Sequence, residues 1–163
     1  MSDDVPMVPV EVLGVRQQQR DHARGVGLLA DAAELGVPSV FGPREASAIA
    51  MAQAGLPTPR PMTHDLLRDL LDAVGVRLER AEIVALDGGI FFAELVLSNG
   101  VRLDSRASDA IAVAVRTGSP VLCSAEVVAT AGVEVVDVAQ QEEVEKFRDF
   151  LDHVQPEDFS VDE

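Results

Sequence analysis

The chain has no tryptophan or tyrosine and only six phenylalanines in 163 residues, so aromatic platforms for stacking nucleic-acid bases are scarce. Lys146 is its single lysine and its arginines are scattered, so the clustered basic patch that tracks a phosphate backbone is missing. Cys123 is the single cysteine, which excludes an intrachain disulfide. Its apolar setting, Pro120-Val121-Leu122-Cys123, predicts a buried and inert thiol. Charge, Gly or Pro interrupts every hydrophobic stretch before it nears the roughly 20 apolar residues of a membrane helix. The opening MSDDVPMVPV carries two acids in place of a basic region, and no apolar run of signal-peptide length follows. The expectation is a soluble cytoplasmic protein with no membrane partner. Glycine-rich phosphate loops, dinucleotide fingerprints, zinc-ligand spacings and Ser or Cys nucleophile elbows are also absent, which sets those enzyme classes aside.

What the sequence does contain is apolar material and acid. Hydrophobic residues make up 47% of the chain, ample for one core. Against 13 Lys and Arg stand 28 Asp and Glu, a formal net charge of −15 that opposes nonspecific binding to nucleic acid. Residues 139–163 hold nine acids and two bases, which leaves 19 acids against 11 bases on residues 1–138. The body is therefore acidic even without its tail, and a nucleic-acid substrate would need a local site, assisted by a cation.

Hydrophobic patterning predicts an α+β fold of largely antiparallel strand meanders packed with helices. Residues 10–16, 26–33 and 37–41 read as three strands separated by turn residues. A helix follows over 43–54, with Pro43 at N1, Glu45 at N3 and Gly55 just past its end. Thr63 is suited to cap a second helix carrying Leu66, Leu67, Leu70, Leu71 and Val74 on one face, with Met62 and Leu67 as its staple. Strands over 77–86 and 90–97 are joined by Asp87-Gly88-Gly89, and Asn99-Gly100 turns the chain into a third. A helix over 107–117, apolar nearly all round, should be buried and end at Gly118. Residues 120–123 then form a short buried strand, Ser124 caps a short helix ending at Gly132, and 133–137 close the sheet. Strands followed by a helix thus occur twice, and Ala-Ile-Ala-apolar-Ala recurs at 48–52 and 110–114, the pattern of an internal repeat. From Gln140 onward, Val144, Phe147, Leu151 and Val154 at helical spacing, opposite an acidic face, predict a C-terminal amphipathic helix. The expected organisation is a domain over 8–138 and an acidic helical extension over 139–163.

Three strings occur in a telling order: EASAIAMAQAG at 45–55, RPMTHDL at 60–66 and DSRASDAIAVAVRTGSPV at 104–121. Together they resemble the bifunctional nuclease (DNase/RNase domain) family, over about residues 8–137, and the tail resembles the extension of bacterial members. The resemblance implies a compact α+β domain, assembly into homo-oligomers, and cleavage of RNA and single-stranded DNA. Two departures stand out: Ala107 replaces a proline before the Ser-Asp pair of the last motif, and Val37-Pro38-Ser39 replaces Leu-Pro-Ile. Neither removes a charge, although Ser39 in a core strand needs a partner or an exposed face.

Phosphodiester hydrolysis commonly uses carboxylates that hold Mg or Mn ions. Within the family motifs, Glu45, Asp65, Asp104 and Asp109 are the candidate metal ligands, and Glu45, His64, Asp65 and Asp109 the candidate catalytic groups. Arg60, Arg106 and Ser108 are the candidate substrate contacts. Spacing alone does not gather these acids into a metal motif, so convergence has to come from the fold. Each also has a structural alternative: Glu45, Asp65 near N2 and Asp109 complement helix dipoles, and Ser105 or Ser108 caps the third helix. A noncatalytic, oligomeric binding or regulatory protein on the same fold is the second reading.

Because the apolar patterning of residues 8–138 already supplies a core, deletion of 139–163 is expected to leave a cooperatively unfolding domain. Circular dichroism and thermal melting of the truncated chain check this, and a broad, non-cooperative melt would make the tail part of the core.

Overall fold

Turn residues and alternating apolar positions divide the chain into two strand meanders, and the computed structural model describes residues 5–17, 24–30 and 35–134 of it. The first meander is β1 (Met7–Gln17), β2 (Arg24–Ala30) and β3 (Leu35–Phe41), antiparallel throughout, followed by α1 (Pro43–Gln53) and α2 (Thr63–Ala73). The second is β4 (Leu78–Asp87), β5 (Ile90–Leu97) and β6 (Arg102–Arg106), also antiparallel, followed by α3 (Ala107–Thr117). Gly88-Gly89 makes the first hairpin turn, where Asp87 pairs Ile90. In the second, the Asn99 side chain accepts from the Val101 amide at 3.1 Å. Three strands precede helices in both halves, two helices in the first and one in the second. The predicted C-terminal amphipathic helix over 139–163 lies outside the described residues.

One short strand joins the halves. β7 (Val121–Ser124) lies between the meanders, parallel to β4 and antiparallel to β1, giving the mixed sheet order β6-β5-β4-β7-β1-β2-β3-β8. Ser124 then caps α4 (Ala125–Ala131) by accepting from the Glu126 amide, and β8 (Val133–Glu134) pairs with β3. Ala81 and Ile83 of β4, Ala93 of β5 and Val121 and Cys123 of β7 share a core with Ile49 of α1 and with Val127 and Val128 of α4. The Cys123 thiol is fully buried and burial alone pushes it up to about 11, the inert state its apolar setting predicts. Ser39 is buried as well.

The center of this core is α3. Ala107, Ser108 and every residue from Ala110 to Ala114 are buried, because small side chains let α1 and the sheet close on several sides of the helix at once. Gly118 ends it in the left-handed region (φ 67°), where a Cβ would be strained. Arg106, not Ser105 or Ser108, occupies the N-cap position and makes no side-chain cap bond. The Ser105 hydroxyl donates instead to the Arg106 carbonyl, and Ser108 is turned into the core.

On the sheet face opposite the helices, β4 to β6 carry charge. Glu82 accepts from Arg80 at 2.6 Å and from Arg102, and Arg102 also donates to Glu94 at 2.6 Å. Burial works to raise the Glu82 carboxyl, but the bonds from Arg102 and Arg80 outweigh it and hold the group below its ordinary value.

The helix α2 is held differently from its neighbours. None of its residues is buried, and Leu66, Leu70 and Val74 are 60%, 54% and 62% exposed. Its N-cap is Met62, which places Thr63 at N1, so Thr63 is not the capping group its residue type suggests. Asp65, at N3, performs that role by accepting from the Met62 amide at 2.9 Å through Oδ2. Its Oδ1 accepts at 2.7 Å from the Nε of Arg116, a side chain only 6% exposed on α3. The bond from Arg116, then that from Met62, holds the Asp65 carboxyl below its ordinary value.

Asp65→Asn is therefore expected to lower stability by about 1–3 kcal/mol at neutral pH, because it leaves a buried guanidinium without its counter-charge. Thr63→Ala is expected to cost far less. A depressed folded-state pKa stabilises above the unfolded value and is lost as pH falls through the folded one, so the gap between Asp65→Asn and wild type closes in acid. Urea unfolding at neutral and strongly acidic pH measures both.

Candidate active site

A groove of ≈ 1110 Å³ runs between α1, α2, the edge strand β6 and the start of α3. Met51, Met62, Leu67, Leu95 and Leu103 give it apolar walls. Its charged lining is balanced, with Arg44, Arg106 and Arg116 against Glu45, Asp104 and Asp109, in a chain whose net charge is −15. His64 completes the polar lining.

Four of these groups form one linked cluster, assembled from three helix starts. Asp109, on the first turn of α3, accepts at 2.7 Å from Arg106 Nε on Oδ2, and on Oδ1 from Arg106 Nη2 at 3.1 Å and His64 Nε2 at 2.9 Å. The third Arg106 nitrogen, Nη1, lies 3.4 Å from Oε1 of Glu45 on α1. Burial works to raise the Asp109 carboxyl, but the bonds from Arg106 and then His64 outweigh it and hold it below its ordinary value. An ionised carboxylate only accepts, so the proton in the His64 contact belongs to Nε2. In the neutral imidazole, Nδ1 is then the nitrogen able to take a proton. The Arg106 side chain is 67% exposed, and its Asp109 bonds raise its already high pKa, so it presents a permanent positive charge to the groove.

Glu45, at N3 of α1, folds back over Gly42, where a Cβ would meet its Oε2 at 2.5 Å. The absent side chain at position 42 is thus what gives the carboxylate room beside Arg106.

The other residues singled out in the sequence are distributed elsewhere. Asp104 still lines the groove, from β6, outside the bonded cluster. Asp65 faces a separate, smaller cavity with both oxygens engaged by Met62 and Arg116. Arg60 is exposed outside the groove lining, and Ser108 is buried. Arg44 and Arg116 line the groove without having been singled out. Arg116 carries a signal of its own, being the charge that ends the apolar run AIAVAV.

A divalent cation needs several carboxylate oxygens free to converge on one point. Here the Arg106 guanidinium takes the position between Asp109 and Glu45, and both Asp109 oxygens are already bonded. Among the described residues no three His, Cys, Asp or Glu side chains are gathered as a metal set. The arrangement does not fit the ion that the family motifs led us to expect on Glu45, Asp65, Asp104 and Asp109.

Gly42→Ala is expected to displace the Glu45 carboxylate and open its contact with Arg106. A carboxylate tip swings aside easily, so stability should change by less than about 1 kcal/mol. Thermal melting with a crystal structure of the variant reads both, and Glu45 unmoved would refute the assigned role of Gly42.

Comparison with known proteins places this geometry in a family. Residues 28–136 match the bifunctional nuclease domain, a segment that contains α1 to α3 and the whole groove. The chain is 40% identical over 164 residues to Uncharacterized protein MT1877 and to Uncharacterized protein Rv1829, from two strains of Mycobacterium tuberculosis, covering 95% of this chain and 99% of each relative. It is 29% identical over 119 residues to Bifunctional nuclease 2 of Arabidopsis thaliana, covering 69% of this chain and 34% of the plant protein. With the domain match spanning more than half its length, the chain belongs to the bifunctional nuclease domain family.

Proposed function

We propose that the groove binds single-stranded nucleic acid and cleaves its phosphodiester bonds. The observation that carries this reading is the exposed Arg106 guanidinium, fixed by Asp109 next to His64. Pentavalent phosphorus develops charge on its non-bridging oxygens, and a fixed cation directed at them favours that state. Arg106 has the charge and the exposure for it, and Arg44 adds a second guanidinium to the lining. The Nδ1 of His64 is the base that takes the proton of the attacking hydroxyl, with Asp109 fixing the tautomer and stabilising the imidazolium. Asp109 and Glu45 hold Arg106 without touching substrate, which makes them positioning residues. The apolar walls offer bases a contact surface where aromatic side chains are lacking. No step is routed through a metal ion, because Arg106 bonds both Asp109 oxygens and lies 3.4 Å from Glu45.

The exposed ridge of Leu66, Leu70 and Val74 on α2 supports the homo-oligomer implied by the family, and it favours the second reading, a noncatalytic binding protein, if the groove proves inert.

The test is cleavage of single-stranded RNA and DNA oligonucleotides by the purified full chain at one fixed salt concentration. His64→Gln and Asp109→Asn are expected to lower the rate by about 10²-fold or more. Arg60→Gln, outside the groove, is expected to leave it unchanged. An inactive wild type on both polymers would favour the noncatalytic reading, and full activity in both groove variants would remove the assignment of this site.

A further inference from the structure

Resting on the nuclease reading, we infer that the groove holds two successive phosphates of its substrate, the scissile one at Arg106 and a neighbouring one at Arg44. Its ligand is therefore an internal stretch of single-stranded nucleic acid, RNA or DNA, and not an isolated phosphodiester.

Three arginines line the groove, and two are already committed to the protein. Arg106 gives Nε and Nη2 to Asp109, and its Nη1 lies 3.4 Å from Glu45. Arg116, with a side chain 6% exposed, donates to Asp65 and to the Ala112 carbonyl. Arg44 is exposed, and its side chain has no ion-pair or hydrogen-bond partner among the described residues.

Helix stability does not account for Arg44 either. It stands at N2 of α1 as the only base on that helix, where the positive end of the helix dipole disfavours a cation. A guanidinium kept unpaired at a helix start, on the wall of a groove, is a charge left for a ligand. Phosphate oxygens match it in sign and in hydrogen-bonding geometry.

The opposite wall differs in character, since β5 and β6 supply Leu95, Leu103 and the carboxylate of Asp104. A backbone laid along the α1 side keeps its phosphates from Asp104 and turns its bases toward the leucines. The groove volume of ≈ 1110 Å³ exceeds the roughly 300–1,000 Å³ of a site for one small ligand, which leaves room for more than one nucleotide. Binding of this kind depends on phosphate charge, whatever the sugar and however the attacking oxygen is activated.

The probe is a thymidine trimer with its two internal phosphates and no terminal ones, used intact or with either linkage replaced by an uncharged methylphosphonate. Affinity for the isotope-labelled full chain is read by NMR titration at one low salt concentration and at low temperature, where turnover is slow. Cleavage of single-stranded RNA and DNA is followed separately, as above. For the wild type, neutralising either linkage is expected to weaken binding about 10-fold, the effect of losing one charge-assisted contact. Arg44→Gln should bind the intact trimer about 10-fold more weakly and lose little further on either methylphosphonate, because the phosphate and the guanidinium form one contact. Arg60→Gln should keep the wild-type pattern. Arg44→Gln should also melt no lower than the wild type, since it removes a cation from a helix start.

An intact trimer bound no better than its methylphosphonate forms would overturn the inference, as would losses from Arg44→Gln and from the neutral linkages that simply add. A lower melting temperature would assign Arg44 to the stability of α1 and overturn it as well. In each case, cleavage of single strands would leave the nuclease reading in place. The expected binding pattern without cleavage would overturn the nuclease reading alone, and neither binding nor cleavage would overturn both.

Discussion

Asp109 stands on the first turn of a helix with almost no freedom to move. α3 is enclosed by α1 and the sheet along most of its length, through alanines that let backbones approach closely, so shifting its start means repacking the core. The groove takes its precision from that constraint. Arg106, at the N-cap, and Asp109, three residues later, are fixed to the same rigid turn, and their paired bonds hold the guanidinium even though most of it faces solvent. His64 and Glu45 come from other helix starts and dock onto this pair. Arg116, near the other end of α3, fastens α2 by its Asp65 bond, so one buried helix aligns both walls of the site.

Local structure was legible in the sequence to the extent that it depends on neighbours. Gly88-Gly89, Asn99-Gly100 and Gly118 mark real turns and a real helix end, and the apolar run 110–114 marks the buried helix. Local rules misled where two groups compete for one role: Thr63 has the residue type of a cap, yet Asp65 reaches the free amide of Met62 and moves the helix start by one residue. Long-range pairings left little trace. Nothing at Asp65 indicates that an arginine 51 residues away will take its carboxylate, and nothing in the second meander indicates that β7 will separate it from the first. The candidate list therefore held Arg106, Asp109, His64 and Glu45, which the fold brings together, alongside Arg60, Asp65 and Ser108, which it does not.

Charge shows the same dependence on placement. The chain as a whole repels a polyanion, yet the groove lining carries as many arginines as carboxylates. Repulsion from the body screens out within about 10 Å at ordinary salt, whereas Arg106 acts at contact distance. For a polyanion in the proposed groove, this distribution favours weak capture with a well-defined local contact.

The position of β7 has a bearing on synthesis. It fills the middle of the sheet, but it is made after both meanders and α3. Until residues 121–124 leave the ribosome, β1 and β4 each present an unpaired edge, and the two halves have no common strand to register against. The nascent chain thus carries two half-sheets waiting on four residues, and the interval before those residues emerge is when it is most open to pairing with a neighbour on the same messenger.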